Sequence, residues 1–365
     1  MRARHYRSLV AAGVVALLVA LVLAAGLRSQ WRYARAMAAL QSCGAKTDAI
    51  PVGPKWIRRL RDKSPLVARW WRFERDRSVL FRGDPPPDWP QLVRDVGASR
   101  LYVSGSKVSQ DFGRTVAALP ALEDLWCEEV PLRDEQLAGL LPRSGMQRVV
   151  IQDALLTPAA LASLKVWPQL TRLDLSGCAQ FTGPGWADIV TFAQLEELYL
   201  TAAGVRDDDL RWIGRLSHLK CLSLAHTAVT DAGLAHLEGC AALEVLTLSS
   251  TAVGDAGVQA LTKLSRLRYL QLGRTRITPA SLPVLASMPD LEYFTSDHTA
   301  IAERGDGFVN LVGKGNRKWW SRDYMIAEPP WSRRSVERDR VIALFPAPPS
   351  LKKYLATRGD DPSYR

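Results

Sequence analysis

Apolar and polar positions alternate along most of this chain in a frame that repeats about every 24 residues. LTRLDL at Leu170, LEELYL at Leu195, LKCLSL at Leu219, LEVLTL at Leu243 and LRYLQL at Leu267 follow at steps of 25, 24, 24 and 24. One further step reaches LEYFTS at Leu291, and backward steps reach Met146 (MQRVVI), Leu122 (LEDLWC) and Ala98 (ASRLYV). Nearly every frame is apolar at its first, fourth, sixth and eleventh positions. The fourth positions read Leu101, Leu125, Val149, Leu173, Leu198, Leu222, Leu246, Leu270 and Phe294. At the eleventh position the exception is Gln180, in the frame with the extra residue. The alternation predicts a short strand. A second apolar set, as in Leu234 with Leu237 and Val258 with Leu261, has helical spacing and predicts a helix crossing back. One such unit cannot bury its own apolar face, whereas a stack of them encloses a continuous core. Thr230 or Asp231 is placed to cap the helix of its repeat, with Asp255 in the equivalent position.

The segment LSLAHTAVTDAGLAHL, residues 222–237, resembles the leucine-rich-repeat family, in the form where LxxLxLxxT is followed by VTDAGLxxL. LEGCAAL and LDLSGC are similar to its cysteine-containing subclass. The order of apolar segment, short helix, PKWIRRL and VTDAGL repeats is similar to leucine-rich-repeat proteins of planctomycete-type bacteria. The resemblance covers residues 98–301, about nine repeats. It implies an α/β solenoid, or horseshoe, with parallel strands on the concave face and helices on the convex face. It also implies protein binding rather than a shared chemistry.

Five stretches are expected. Residues 1–8 form a basic flank; residues 9–27 are uncharged and long enough to span a bilayer as a helix. A cleavable signal peptide is the competing reading of that run, which exceeds the usual apolar length of such signals. Residues 28–97 are expected to be a helical region and cap, 98–301 the repeats, and 302–365 a carboxy-terminal cap with a basic tail containing Trp319, Trp320 and Trp331. Arg2, Arg4 and Arg7 precede the apolar run and Arg28, Arg32 and Arg35 follow it, so charge asymmetry barely orients it. A single-pass membrane protein with an extracytoplasmic body is the default expectation.

Net charge is +11 and unevenly spread. Residues 1–77 hold sixteen Lys/Arg against four Asp/Glu, a net +12, and residues 98–301 hold seventeen against twenty-two, a net −5. A nucleic-acid binder would carry its basic stripe on the folded array. Here the basic residues of 28–77 adjoin the apolar run, which points to anionic lipid or to a merely solvated surface. No nucleic acid is expected.

Side chains between the strand leucines point onto the concave face. Nine strands would give a face of about 40 Å, enough for a protein interface. Trp126, Tyr199, Tyr269 and Tyr293 are the expected anchors, with Tyr102 beside them and Arg148, Arg172 and Glu197 setting specificity. The alternatives are a structural envelope component that spaces or tethers layers, and a divergent enzyme. The latter would rest on Cys221 and His226, a thiol–imidazole pair without an orienting third group. Asp207, Asp208 and Asp209 read as a helix start rather than a calcium loop. GKGNRK at 313–318 lacks the full phosphate-loop pattern, and RGD at Arg82, Arg304 and Arg358 is a weak signal. The five scattered cysteines do not read as disulfides or a zinc site, and most of them read as buried thiols. No catalytic residue, metal or cofactor is expected.

Overall fold

The computed structural model describes residues 28, 31–51, 74–142, 145–296, 298–300 and 308–310. The apolar run 9–27 and the tryptophans of the carboxy-terminal stretch lie outside them. Among the described residues no helix is long and apolar enough to cross a membrane. The chain forms two compact units, Met1–Pro131 with Glu135–Met146, and Leu132–Asp134 with Gln147–Arg365.

In the first unit a helix over residues 31–42 (α1) precedes strands β1 (Lys46–Pro51) and β2 (Glu74–Arg82). Helix α2 (Trp89–Val96), β3 (Arg100–Ser104), α3 (Phe112–Ala117) and β4 (Asp124–Glu128) follow. β1 runs antiparallel to β2, and β2, β3 and β4 are parallel and in register. Besides helical segments, the stretch 28–97 expected to be a helical region and cap therefore also holds strands β1 and β2. Val79 and Phe81 of β2, both buried, stand in register with Leu101 and Val103, so β2 is a repeat strand ahead of the first counted frame. It was hidden because its first four residues, Glu-Arg-Asp-Arg, are all charged, and because Val79 precedes Leu101 by 22 residues, short of the common period.

The second unit contains parallel strands β5 (Arg148–Gln152), β6 (Arg172–Asp174), β7 (Glu197–Tyr199), β8 (Cys221–Ser223), β9 (Val245–Thr247), β10 (Tyr269–Gln271) and β11 (Tyr293–Thr295). A final strand, β12 (Phe308–Asn310), pairs antiparallel with β11 and ends the parallel order. Short helical legs return the chain between strands, among them α4 (Ala160–Leu164), α5 (Asp207–Ile213), α6 (Asp231–Leu234), α7 (Asp255–Ala260) and α8 (Leu282–Ser287). Leu173, Leu198, Leu222 and Leu246 are fully buried in successive strands, and Leu156, Val205, Val229, Val253 and Ile277 line the same core at the eleventh position. Each such side chain contributes about 1.5–3 kcal/mol by leaving water. Where Gln180 interrupts the pattern, Gln180 is exposed and the inserted Phe181 fills the slot, edge-on to Trp186 with ring centroids 5.0 Å apart.

Three ladders explain the VTDAGL text. After most of these strands the chain turns through a left-handed non-glycine residue: Asp153, Ala202, His226, Ser250 and Arg274, with φ of 55–59°, while Gly177 at 75° takes that place after β6. The amides of Ala202, His226 and Ser250 then donate to the next repeat's carbonyl at 2.8–2.9 Å. Next, the buried hydroxyls of Thr227, Thr251 and Thr275 donate to the carbonyls of Leu224, Leu248 and Leu272. Finally, a helix-start aspartate holds the helix start of the following repeat. Asp207 accepts from the amide and hydroxyl of Thr230, both at 2.7 Å, and Asp255 does the same for Thr278 at 2.8 and 2.6 Å. Asp231 accepts the Gly254 amide, where no hydroxyl is available. Thr230 is thus the cap, its oxygen accepting from the Ala232 amide, while Asp231 serves the neighbouring repeat. The glycine of DAG leaves room for that carboxylate, since a Cβ on Gly233 or Gly257 would overlap Asp207 or Asp231.

This ladder gives an acid dependence. Burial alone would raise the carboxyl of Asp255, but hydrogen bonds from Ser281 and from the hydroxyl and amide of Thr278 outweigh it and hold it below the ordinary carboxylate range. Such a group stabilises fully above the unfolded carboxylate value of about 3.9 and loses that contribution as pH falls through the folded value. Asp255→Asn is expected to flatten the fall in stability below about pH 4. Urea unfolding at neutral and acid pH measures it; an unchanged acid slope would contradict it.

Candidate functional site

In the first unit, Tyr102 and Trp126 are register partners on β3 and β4, half-buried, with ring centroids 5.3 Å apart and planes tilted by 37°. Beside them Arg100 pairs with buried Asp124 at 2.9 Å. These four side chains share the sheet face opposite the leucines because the strand period is two.

In the second unit, Arg148, Arg172 and Glu197 occupy one row across β5, β6 and β7. Arg172 binds Glu197 at 3.2 Å and stacks over the ring of Tyr199 at 4.7 Å. Tyr199 does not stand exposed as an anchor: it is only 4% accessible. Its hydroxyl donates to Glu197 at 3.1 Å and accepts the thiol of Cys221 at 3.6 Å. Burial, followed by the neighbouring Cys221 and Glu197, pushes the Tyr199 hydroxyl well above its ordinary value. Tyr199 is therefore a floor beneath Arg172, hydrogen-bonded to Glu197.

Tyr269 and Tyr293, the other expected anchors, are half-buried register partners on β10 and β11. Their rings stack at 5.4 Å with planes 6° apart. Tyr269 donates to Glu292 at 3.3 Å, and Glu292 also receives the guanidinium of Arg268. Burial, then the Glu292 charge, pushes the Tyr269 hydroxyl up to about 12, so it remains a donor at neutral pH. The sequence reading passed over Arg268, Glu292 and the Gln152–Asp174 contact at 2.8 Å. A recurrence of opposite charges at the second frame position, Lys220 with Glu196 and Arg268 with Glu292, was the available signal.

The other chemistry considered is absorbed by structure. Burial pushes the thiols of Cys127, Cys178, Cys221 and Cys240 up to about 12, far from nucleophilic at neutral pH. Cys43 is the exposed one of the five, so most of the cysteines are buried as expected. Cys221 directs its hydrogen to Tyr199, while His226 sits exposed at a left-handed turn. Asp207 is committed to Thr230, and Asp209 to the Arg206 amide at 2.9 Å. Among the described residues no group of three or more His, Cys, Asp or Glu side chains is placed to share a metal ion. Asp84 of the first RGD accepts the Lys107 amide at 2.7 Å; the other two RGD sequences and GKGNRK lie outside the described residues.

These observations define a class: an α/β repeat protein whose parallel sheet carries a patterned aromatic and ionic face. The Leucine Rich repeat family model matches residues 215–237 and 239–261. The two matched segments lie inside an array of like units. No curated protein matches it. Among solved structures it is similar to an internalin from Listeria monocytogenes, at 13% identity and a TM-score of 0.39, covering 67% of this chain and 87% of that one. It is also similar to internalin C2 from the same species, at 17% identity and a TM-score of 0.32, covering 51% of this chain and 66% of that one. The fold assignment rests on the repeats themselves.

Proposed function

We propose that this chain is a membrane-anchored interaction module that captures a protein partner on the helix-free face of its repeat sheet, without catalysis. The observation that carries the reading is the immobilised mixture of aromatic and charged groups on that face. Arg172 and Glu197 are locked over Tyr199, and Tyr269 and Tyr293 are stacked beside Glu292. Side chains held in one rotamer lose little entropy when a partner docks, and Trp, Tyr and Arg dominate interface energies. Repeat units expose one long face by construction, which suits an extended macromolecular contact.

Residues 9–27 supply the anchor in this reading, and the basic residues of 28–77 lie at the membrane they enter, with the repeats on the extracytoplasmic side. The array is taken as the VTDAGL subtype found in planctomycete-type bacteria. The second reading, a structural tether between envelope layers, draws on the same basic flanks. A tagged full-length chain, purified with its bound proteins from native cells, separates the two. Trp126→Ala with Tyr293→Ala is expected to lose a co-purifying protein that Arg211→Ala with Arg215→Ala, on helix α5 and beyond, retains. Equal retention by both pairs would favour the tether.

A further inference from the structure

Helix α1 has two opposed faces. Ala36 and Leu40 are buried at 1% and 0% accessibility, with Tyr33 and Met37 half-buried on the same side. At 3.6 residues per turn, Trp31, Arg32 and Arg35 fall away from that side; they and the preceding Arg28 are exposed. Trp31 is 64% accessible, more than Leu141 or Leu282, the other large apolar side chains left exposed among the described residues. The Arg35 guanidinium stacks over its ring at 5.6 Å. No acidic residue occurs between Arg28 and Thr47.

The geometry points to this face of α1 as a membrane-contact surface that binds anionic phospholipid headgroups, with Trp31 seated at the interface and Arg28, Arg32 and Arg35 on the phosphates. The inference rests on the membrane-anchored reading and assigns it a specific surface. Three arguments choose a lipid occupant. The face is continuous with the apolar run: Trp31 is four residues past Leu27, so at most about 14 Å of extended chain separates them. That reach, against headgroup layers about 5–8 Å thick, keeps the helix start at the bilayer surface. An indole has an apolar body and one polar edge, the combination that settles at the boundary of hydrocarbon and water. Guanidinium groups pair with phosphate oxygens in a planar fork, and three within residues 28–35 without a competing carboxylate suit a negative surface.

Depth measurement on the full-length chain tests this. Cys43→Ser with Ala38→Cys leaves one accessible thiol on the edge of the exposed face, because the remaining four are buried. A nitroxide there is read in vesicles of phosphatidylcholine alone or mixed with phosphatidylglycerol, and flotation reports whether the chain is anchored. Collision with a water-soluble nickel chelate is expected to fall several-fold in the anionic vesicles. It is expected to return to the neutral-vesicle level when Arg28→Gln, Arg32→Gln and Arg35→Gln are combined. A chain that floats with both vesicles while its label stays equally open to nickel overturns the surface and leaves the anchor standing. A chain that floats with neither overturns both.

Discussion

Replacing Phe181 with alanine is expected to destabilise the repeat array by about 3–5 kcal/mol, the range for emptying a buried phenylalanine site. Phe181 is fully buried and packs edge-on against Trp186, itself 2% accessible. It belongs to the one 25-residue frame of the otherwise 24-residue series, and the extra residue shifts the core position from Gln180 to Phe181. Gln180 is exposed, so Gln180→Ala is expected to change stability by less than about 0.5 kcal/mol. Because each repeat leans on its neighbours, the cavity should uncouple the frames on either side as well as lower the midpoint. Urea unfolding of both variants measures the contrast. Equal effects of the two substitutions would show that the insertion is accommodated differently.

The second large effect is expected at Gly214, which closes helix α5. Its φ is ordinary at −61°, so the requirement is one of space. A Cβ there would overlap the carbonyl oxygen of His236 in the next repeat, and a Cβ on Gly239 would overlap the carbonyl oxygen of Gly214. Both obstacles are backbone, which cannot swing aside as a side chain would. Gly214→Ala is expected to cost about 1–3 kcal/mol or more by overpacking, despite alanine's better helix propensity. Gly254→Ala is the control, since the nearest atom to its Cβ would be Asp231 Oδ2 at an ordinary 3.4 Å. Thermal unfolding of the two variants distinguishes them, and a neutral Gly214→Ala would refute the close approach.

What the sequence made legible follows from which features repeat. The leucines at the fourth position and the eleventh-position Val and Ile recur with the period and were readable from it, and the cap was narrowed to Thr230 or Asp231. The left-handed turn residues follow no common chemistry, running Asp153, Ala202, His226, Ser250, Arg274 and His298, so only their spacing connects them. Strand β2 escaped because its spacing to β3 departs from the period and charge covers its apolar pair. At the candidate site, the row of outward positions was legible because strand alternation dictates it. The burial of Tyr199 was not, since it depends on Arg172 lying across the ring and on Cys221 beneath the hydroxyl. Such contacts join residues about 22–27 positions apart whose rotamers no one-dimensional pattern specifies.

Site-directed photo-crosslinking in living native cells tests the central claim most directly. A photoreactive residue is placed at Tyr269 or Tyr293 on the helix-free sheet face, or at the exposed Arg211 on helix α5 or Arg215 just beyond it. The account predicts a discrete crosslinked protein from the sheet positions and none from the helix positions. Crosslinks of equal yield from both faces, or from the helix positions alone, would contradict it.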